Sequence, residues 1–403
     1  MNFFVHIFIL IFGLQCQHKQ ETNVNNSILL TEKAPSVLTG ATQMHRYLPL
    51  LAHKRTALVV NQTSTIGTSH IVDTLLSHNI DIGAIFAPEH GFRGKADAGE
   101  HVADSRDART GIPVFSLYGK KKKPAPEDLT GIDVVIFDIQ DVGVRFYTYI
   151  STLHYIMEAC AEQHIPLIVL DRPNPNAYYT DGEVLDPAFR SFVGMHPVPV
   201  VYGMTIGEYA QMINGEGWLN NKIKADLTVI PCSNYTHKTF YELPVRPSPN
   251  LPDMRSVLLY PSICFFEGTT LSLGRGTDKP FQYIGHPALK SNFVFTPKPN
   301  EGAKEPPLND KLCHGQDLSN IPLDQIMIEK QLNLNYLIDF YRQMKQVNQK
   351  YWLDNHFIDK LAGSNQLRLQ IEQGKSAQEI RASWQAGLTQ FHKIRSKYLI
   401  YRD

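Results

Sequence analysis

The 403-residue chain carries no excess charge of either sign: Lys plus Arg and Asp plus Glu both number 39. A nucleic-acid surface needs a basic excess or stripe, so nucleic acid is not an expected partner. Cysteine is scarce and scattered. Cys16, Cys160, Cys232, Cys264 and Cys313 form no CxxC pair, which argues against a structural zinc site and against a disulfide-built fold. Cys160 falls on the apolar face of a predicted helix and Cys264 within an apolar run, the setting of small core residues rather than reactive thiols. GxGxxG and GxxxxGK[ST] are both missing. The turn after the first predicted strand reads Asn61-Gln62-Thr63-Ser64-Thr65-Ile66-Gly67, which excludes the usual dinucleotide and P-loop phosphate sites. Neither a GxSxG elbow nor HxxxH or HxH zinc spacing occurs, so the nucleophile triads and metal centres typical of amidases and deacetylases are not indicated. No internal repeat is visible. Low complexity is confined to Lys120–Lys123 and Pro297–Asn309, both expected as solvated loops.

What is present is an ordinary globular composition, 43% hydrophobic and 19% charged, over a length that suits two domains. The run Met1–Leu14 (MNFFVHIFILIFGL) is almost wholly apolar, and Cys16 and the polar stretch Gln17–Asn26 follow it. It is short for a membrane span and long enough for a signal-peptide core. Residues 1–16 are therefore expected to be a signal peptide or lipoprotein signal and 17–36 a polar linker. The protein is expected to be exported, either periplasmic or held at the envelope by lipid on Cys16.

From Arg55 to about Tyr235, β-rich runs alternate with helical stretches. Strands are predicted at Thr56–Asn61, Asp81–Ala87, Pro113–Leu117, Asp133–Ile139, Pro166–Leu170 and Asp226–Ile230. Helices are predicted at Ser69–Ser77, Thr148–His164 and Thr205–Asn214. The strands are nearly continuous Val, Ile, Leu and Phe runs, the pattern of a parallel sheet covered on both faces. The alternation predicts a Rossmann-like, doubly wound α/β domain over residues 37–245. The Pro-rich stretch Pro244–Pro252 breaks the pattern and predicts a boundary. Residues 246–403 read as a smaller α+β domain, with a Gly-punctuated loop at Phe265–Gly276, a strand at Phe293–Thr296 and helices at Asn335–Gln346 and Ala377–Ile394.

Ligands of open parallel sheets bind beyond the carboxyl ends of the strands. Four predicted strand tips are dense in acids, amides, Arg and aromatics: Asn61–Ser64, Pro88–Gly94, Gln140–Tyr147 and Asp171–Asn176. A structural sheet edge has no need of four such tips. Carboxylates and amides suit the hydroxyls of a sugar, and aromatic rings its apolar face.

At these same tips the sequence resembles the exo-β-N-acetylmuramidase family of peptidoglycan hydrolases. The resemblance rests on APEHGFRG (Ala87–Gly94), IDVVIFDIQDVGVRFYTYISTL (Ile132–Leu153), LDRPNP (Leu170–Pro175), YGMTIGEYA (Tyr202–Ala210), RPSPNLP (Arg246–Pro252), FEGTTLSLGRGTDKPF (Phe266–Phe281) and FIDKLAGS (Phe357–Ser364). It covers the chain from about Val37 onward. It implies a Rossmann-like domain, a smaller C-terminal domain and a cleft between them. It also implies release of N-acetylmuramic acid from the non-reducing ends of peptidoglycan-derived muropeptides or disaccharides, without metal or organic cofactor.

A glycosidase needs a proton donor for the leaving oxygen and a means to stabilise an oxocarbenium-like transition state. Glu89 is the expected donor, because it follows a buried strand and has Phe86 and Phe92 close in sequence. His90 is expected to orient it or to hydrogen-bond the sugar. The second catalytic group is open between Asp141, Tyr147 and the substrate's own acetamide. Arg93, Arg145 and Arg275 are candidates to grip the lactyl carboxylate. Glu267 and Arg275 are expected to close the cleft from the second domain. Asn61, Gln140, Asp171 and Asn174 complete the expected sugar contacts, although Asp171, Arg172 and Asn174 also suit a loop brace stiffened by Pro173 and Pro175. A reading of a different class is a non-catalytic envelope lipoprotein that binds muropeptides at the same tips.

Overall fold

Seven strands form the central sheet of the computed structural model, which describes residue 1 and residues 36–89, 91–92 and 104–402. The strands are β1 (Arg55–Val60), β2 (Asp81–Ala87), β3 (Ser105–Arg106), β4 (Pro113–Ser116), β5 (Val134–Asp138), β6 (Leu167–Leu170) and β7 (Leu227–Ile230). Their order is β3-β4-β2-β1-β5-β6-β7. Every pair is parallel except the short edge pair β3–β4. The inner strands are buried on both faces, as continuous apolar runs require.

Helices α1 (Ile71–Ser77), α2 (Tyr149–Glu162) and α3 (Ile206–Gly215) cover the sheet. Helix α3 starts where Thr205 accepts from the Glu208 amide and Glu208 accepts from the Thr205 amide. This reciprocal cap satisfies two of the donors that a helix start leaves free. The core strands and helices fall within one residue or two of the predicted positions, with the fold class as expected. Predicted ends that overran, such as Asn61 and Ile139, belong to the polar tips.

The topology fixes where a ligand belongs. From β1 the chain runs to β2 and β4 on one side, then returns to β5 on the other. The carboxyl ends of β1 and its neighbours are the switch point of the sheet, where connections diverge and leave a crevice. Register keeps the ends level, with Val59 beside both Phe86 and Phe137.

The C-terminal part begins with a helix that sequence periodicity missed, α4 (Met254–Ile263). It is capped by Asp253 and carries Pro261 in its last turn. Nearly every side chain on it is buried, so it has no polar face to generate a helical period. A three-stranded antiparallel sheet follows, from β8 (Tyr283–His286), β9 (Phe293–Phe295) and β10 (Cys313–Asp317), with β10 central. Helices α5 (Asn335–Gln346), α6 (Phe357–Ala362) and α7 (Ala377–Arg395) follow, with shorter helices at Leu323–Glu329 and Gln366–Glu372.

From Val37 the chain is one compact unit, and one apolar cluster runs from Ala57 on β1 to Phe391 on α7. Polar ties reinforce it. Arg395 of α7 donates to the Gly203 carbonyl at 2.9 and 2.6 Å, and the Tyr401 hydroxyl donates to Asp171 at 2.5 Å. Cys160, Cys232, Cys264 and Cys313 are free and buried. Among the described residues no helix is long and apolar enough to cross a membrane. The expected signal, the linker up to residue 35 and Cys16 lie outside the described residues.

Candidate active site

A cavity of about 260 Å³ opens at the switch point. Glu89, at the tip of β2, lines it from one side. The turn after β5 brings in Tyr147, Thr148 and Tyr149. Since β1 stands between β2 and β5, the hydrogen bond from the Thr148 hydroxyl to Glu89 Oε2, at 2.6 Å, spans the tip of β1. Glu89 is 9% exposed, so one face of its carboxyl is held by protein while it still reaches the cavity.

Aromatic rings make one wall. Tyr147 meets Tyr149 edge-on at 4.8 Å and Tyr260 at 5.8 Å, and Tyr260 meets Phe281 at 4.9 Å. The Tyr147 and Tyr149 hydroxyls both donate to the Pro247 carbonyl, at 2.8 and 3.2 Å. Burial holds the Tyr147 phenol well above its ordinary range, with Tyr149, Asp141 and Glu89 adding to the effect. This hydroxyl stays protonated and committed to a carbonyl.

Glu267 and Arg275 line the cavity from the C-terminal part. Arg275 Nη2 donates to Glu267 Oε1 at 2.6 Å, and its guanidinium lies 5.0 Å from the centre of the Phe281 ring. Burial alone would depress Arg275, but the adjacent Glu267 carboxylate reverses this and raises it above its usual value. A larger open cleft of about 740 Å³ adjoins the cavity and shares Glu267, Arg275 and Phe357 with it. Among the described residues no group of three or more His, Cys, Asp or Glu is placed to hold a metal ion.

The structure thus brings together Glu89, Tyr147, Glu267 and Arg275 from the residues that the sequence nominates. His90 and Arg93 lie outside the described residues. The other nominated residues do not line the cavity, and each has a different task. Asn61 is buried in its own turn, where Oδ1 accepts from the Thr63 amide and hydroxyl at 2.9 and 2.6 Å. Its side chain also meets the Tyr149 hydroxyl at the cavity wall. Gln140 Nε2 donates to the carbonyls of Asp141 and Pro173 at 2.8 and 2.6 Å, pinning two strand tips to each other.

Asp141 closes the turn behind the cavity wall. It accepts from the Gly143 amide at 2.7 Å and from the Tyr202 hydroxyl. Burial pushes its carboxyl up to about 6, against the lowering effect of those donors. Gly143 has φ +77°, and a Cβ there would overlap the Asn174 side chain, so the turn tolerates only glycine.

Arg145 is no lactyl ligand. It is completely buried, and its two terminal nitrogens donate to four carbonyls, those of Glu183, Val198, Leu361 and Ala362, at 2.5 to 3.0 Å. Burial lowers it to about 10, partly countered by Glu183. Asp171 is likewise structural, accepting from Thr205 Oγ1 at 2.7 Å, the Gly207 amide at 2.8 Å and Tyr401. Asn174 donates to the Met204 carbonyl and accepts from the Asn176 amide, both at 2.8 Å. Arg172 forms a buried two-pronged pair with Asp138 at 2.6 and 2.9 Å. The loop brace is therefore the arrangement found at this tip.

Sequence reasoning overlooked Tyr118, Thr148, Ser248 and Asn250. Tyr118 follows β4, a strand tip to which the same rule applies. Ser248 and Asn250 sit in the Pro-rich stretch read as a boundary and as part of the family resemblance, where polar residues between prolines were the available signal.

Comparison with known proteins identifies the family. The model of the N-terminal domain of the exo-β-N-acetylmuramidase NamZ matches residues 56–255, and that of its C-terminal domain matches residues 258–401. The chain belongs to the NamZ family. It is 42% identical, over 92% of its length and 93% of the other's, to the peptidoglycan β-N-acetylmuramidase NamZ of Bacillus subtilis strain 168. Two crystal structures of DUF1343 family proteins from Bacteroides fragilis NCTC 9343 share the fold. One superposes with TM-score 0.85 at 46% identity, covering 92% of this chain and all of the other. The second superposes with TM-score 0.75 at 28% identity, covering 91% of this chain and all of the other.

Proposed function

We propose that this glycoside hydrolase of the NamZ family removes N-acetylmuramic acid, one residue at a time, from the non-reducing ends of peptidoglycan fragments, with Glu89 as the proton donor. The observation that carries the reading is the place of Glu89: a carboxyl at the switch point, held by Thr148 and facing an aromatic-walled cavity. The cavity volume is near the lower end of ligand pockets, about 300 Å³, which suits one sugar residue rather than a glycan run. The leaving glycan extends into the open cleft beyond Glu267 and Arg275. Arg275, with one terminal nitrogen on Glu267, offers the rest of its guanidinium to the lactyl carboxylate.

The enzyme acts outside the cytoplasm in this reading. The apolar run Met1–Leu14 followed by Cys16 supports export, with lipid on Cys16 as the anchor. Cell fractionation of wild type and Cys16→Ser checks both points: wild type in the membrane fraction and the variant released support them, and wild type in the cytosol contradicts them.

Glu89→Gln tests the central assignment. The variant keeps the shape and loses the transferable proton. Turnover is expected to fall on the order of 10²–10⁴-fold, while calorimetry still detects binding of a disaccharide with N-acetylmuramic acid at its non-reducing end. Unchanged turnover refutes Glu89 as the donor.

A further inference from the structure

Glu89 has only one carboxylate companion among the described residues that line the cavity, and it is Glu267. The protein's own other candidates for the second catalytic group, Asp141 and Tyr147, are otherwise engaged. Asp141 lies behind the wall with its carboxyl turned to Gly143 and Tyr202. Tyr147 donates its proton to the Pro247 carbonyl and is held far from ionising.

Glu267 is positioned as a fixed charge requires. It sits in the tight turn Cys264–Gly268 at the end of α4. A Cβ on Gly268 would lie 2.6 Å from the Ile358 backbone, so this turn is pressed directly onto α6. Its carboxyl is tied to Arg275 at 2.6 Å. Arg275 in turn is flanked by Gly274 and Gly276, both at positive φ, and is backed by the Phe281 ring. A guanidinium locked on its other face cannot swing away, so it sets the direction of the carboxylate it holds. The Glu267 side chain is still 24% exposed, at the junction of the small cavity and the open cleft.

We infer that Glu267 is the second catalytic carboxylate, meeting the positive charge that develops at the anomeric carbon as Glu89 protonates the leaving oxygen. This rests on the function proposed above. Glu89 passes its proton to the glycosidic oxygen, and the C1–O bond breaks with its electron pair left on that oxygen. Water supplies the oxygen of the new bond to C1, and its proton restores the acid form of Glu89. The Glu267 carboxylate faces C1 from the side opposite the leaving group. Arg275 is a positioning residue that holds it there.

The experiment uses the full chain, with an aryl N-acetyl-β-muramide and the natural disaccharide as substrates. Glu267→Gln is expected to lower kcat on the order of 10²–10⁴-fold on both substrates, with KM changed little. An aryl leaving group needs less protonation, so Glu89→Gln is expected to be impaired much less on it than on the disaccharide. In Glu267→Ala, added azide is expected to form the α-anomer of N-acetylmuramyl azide, because the vacated face admits an external nucleophile. Melting curves and product binding check that each variant is folded; if Glu267→Ala fails them, the kcat and KM of Glu267→Gln on the two substrates decide alone. A loss confined to KM, no azide product, or the β-anomer of the azide would each overturn the role of Glu267. If wild type itself releases no N-acetylmuramic acid, the functional reading has failed; wild-type activity with an unimpaired Glu267→Gln refutes this inference alone.

Discussion

Arg145→Lys separates the structural account of Arg145 from the sugar-binding role that the sequence suggests. In the wild type, one terminal nitrogen serves Glu183 and Val198 and the other serves Leu361 and Ala362. A lysine keeps the charge but offers a single nitrogen, so at least one pair of carbonyls loses its donor. A buried acceptor left without a partner costs about 1–3 kcal/mol; the Val198 carbonyl keeps the Leu185 amide, so the loss is roughly 1–6 kcal/mol for one acceptor or two. That is a large part of the about 5–15 kcal/mol by which a domain is stable. The second pair belongs to α6, whose first residue, Phe357, borders both the cavity and the open cleft. Urea unfolding followed by circular dichroism is expected to show the loss, with an unchanged or smaller slope. Michaelis kinetics well below the transition are expected to show a modest fall in kcat as α6 loosens. A variant as stable as wild type with KM raised tenfold or more would refute this reasoning and return Arg145 to the substrate.

Asp141→Asn tests the buried carboxyl behind the wall by its pH dependence. Burial lifts folded Asp141 to about 6, whereas an unfolded Asp titrates near 3.9. Between these values the folded state binds more protons, so this group's contribution to stability falls as pH rises from about 4 to 6 and is then flat. The melting temperature of Asp141→Asn relative to wild type is expected to rise over that window; a constant difference would contradict the assignment. Tyr147→Phe leaves the Pro247 carbonyl its bond from Tyr149, so it is expected to cost about 1 kcal/mol of stability and less than tenfold in kcat. A far larger loss of kcat with intact stability would make the Tyr147 hydroxyl part of the chemistry.

The sheet was legible because parallel strands buried on both faces leave unbroken apolar runs, as in Val134–Asp138 and Leu167–Leu170. Helix α4 was not, since burial on all sides erases the periodicity that marks a helix. The strand-tip rule led to Glu89, which lines the cavity at the carboxyl edge of the sheet. It could not separate residues that face the cavity from those that hold the tips together. Arg145, Asp141, Asp171 and Asn174 have the residue types of a sugar site, yet they are consumed by backbone groups and by the hydroxyls of Tyr202, Thr205 and Tyr401, because a crevice built from long loops must satisfy many buried polar atoms. Glu267 and Arg275 were legible as a pair that closes the cleft. Their proximity to Glu89 depends on how the chain after α4 packs back over the sheet, which no local pattern encodes.

The central claim is the release of N-acetylmuramic acid by Glu89 chemistry. The most direct test is incubation of the purified protein with N-acetylmuramyl-β-1,4-N-acetylglucosamine, with products resolved by mass and Glu89→Gln run in parallel. The account predicts equimolar free N-acetylmuramic acid and N-acetylglucosamine from wild type and almost none from the variant. An intact disaccharide after prolonged incubation with wild type, or equal release by Glu89→Gln, would contradict it.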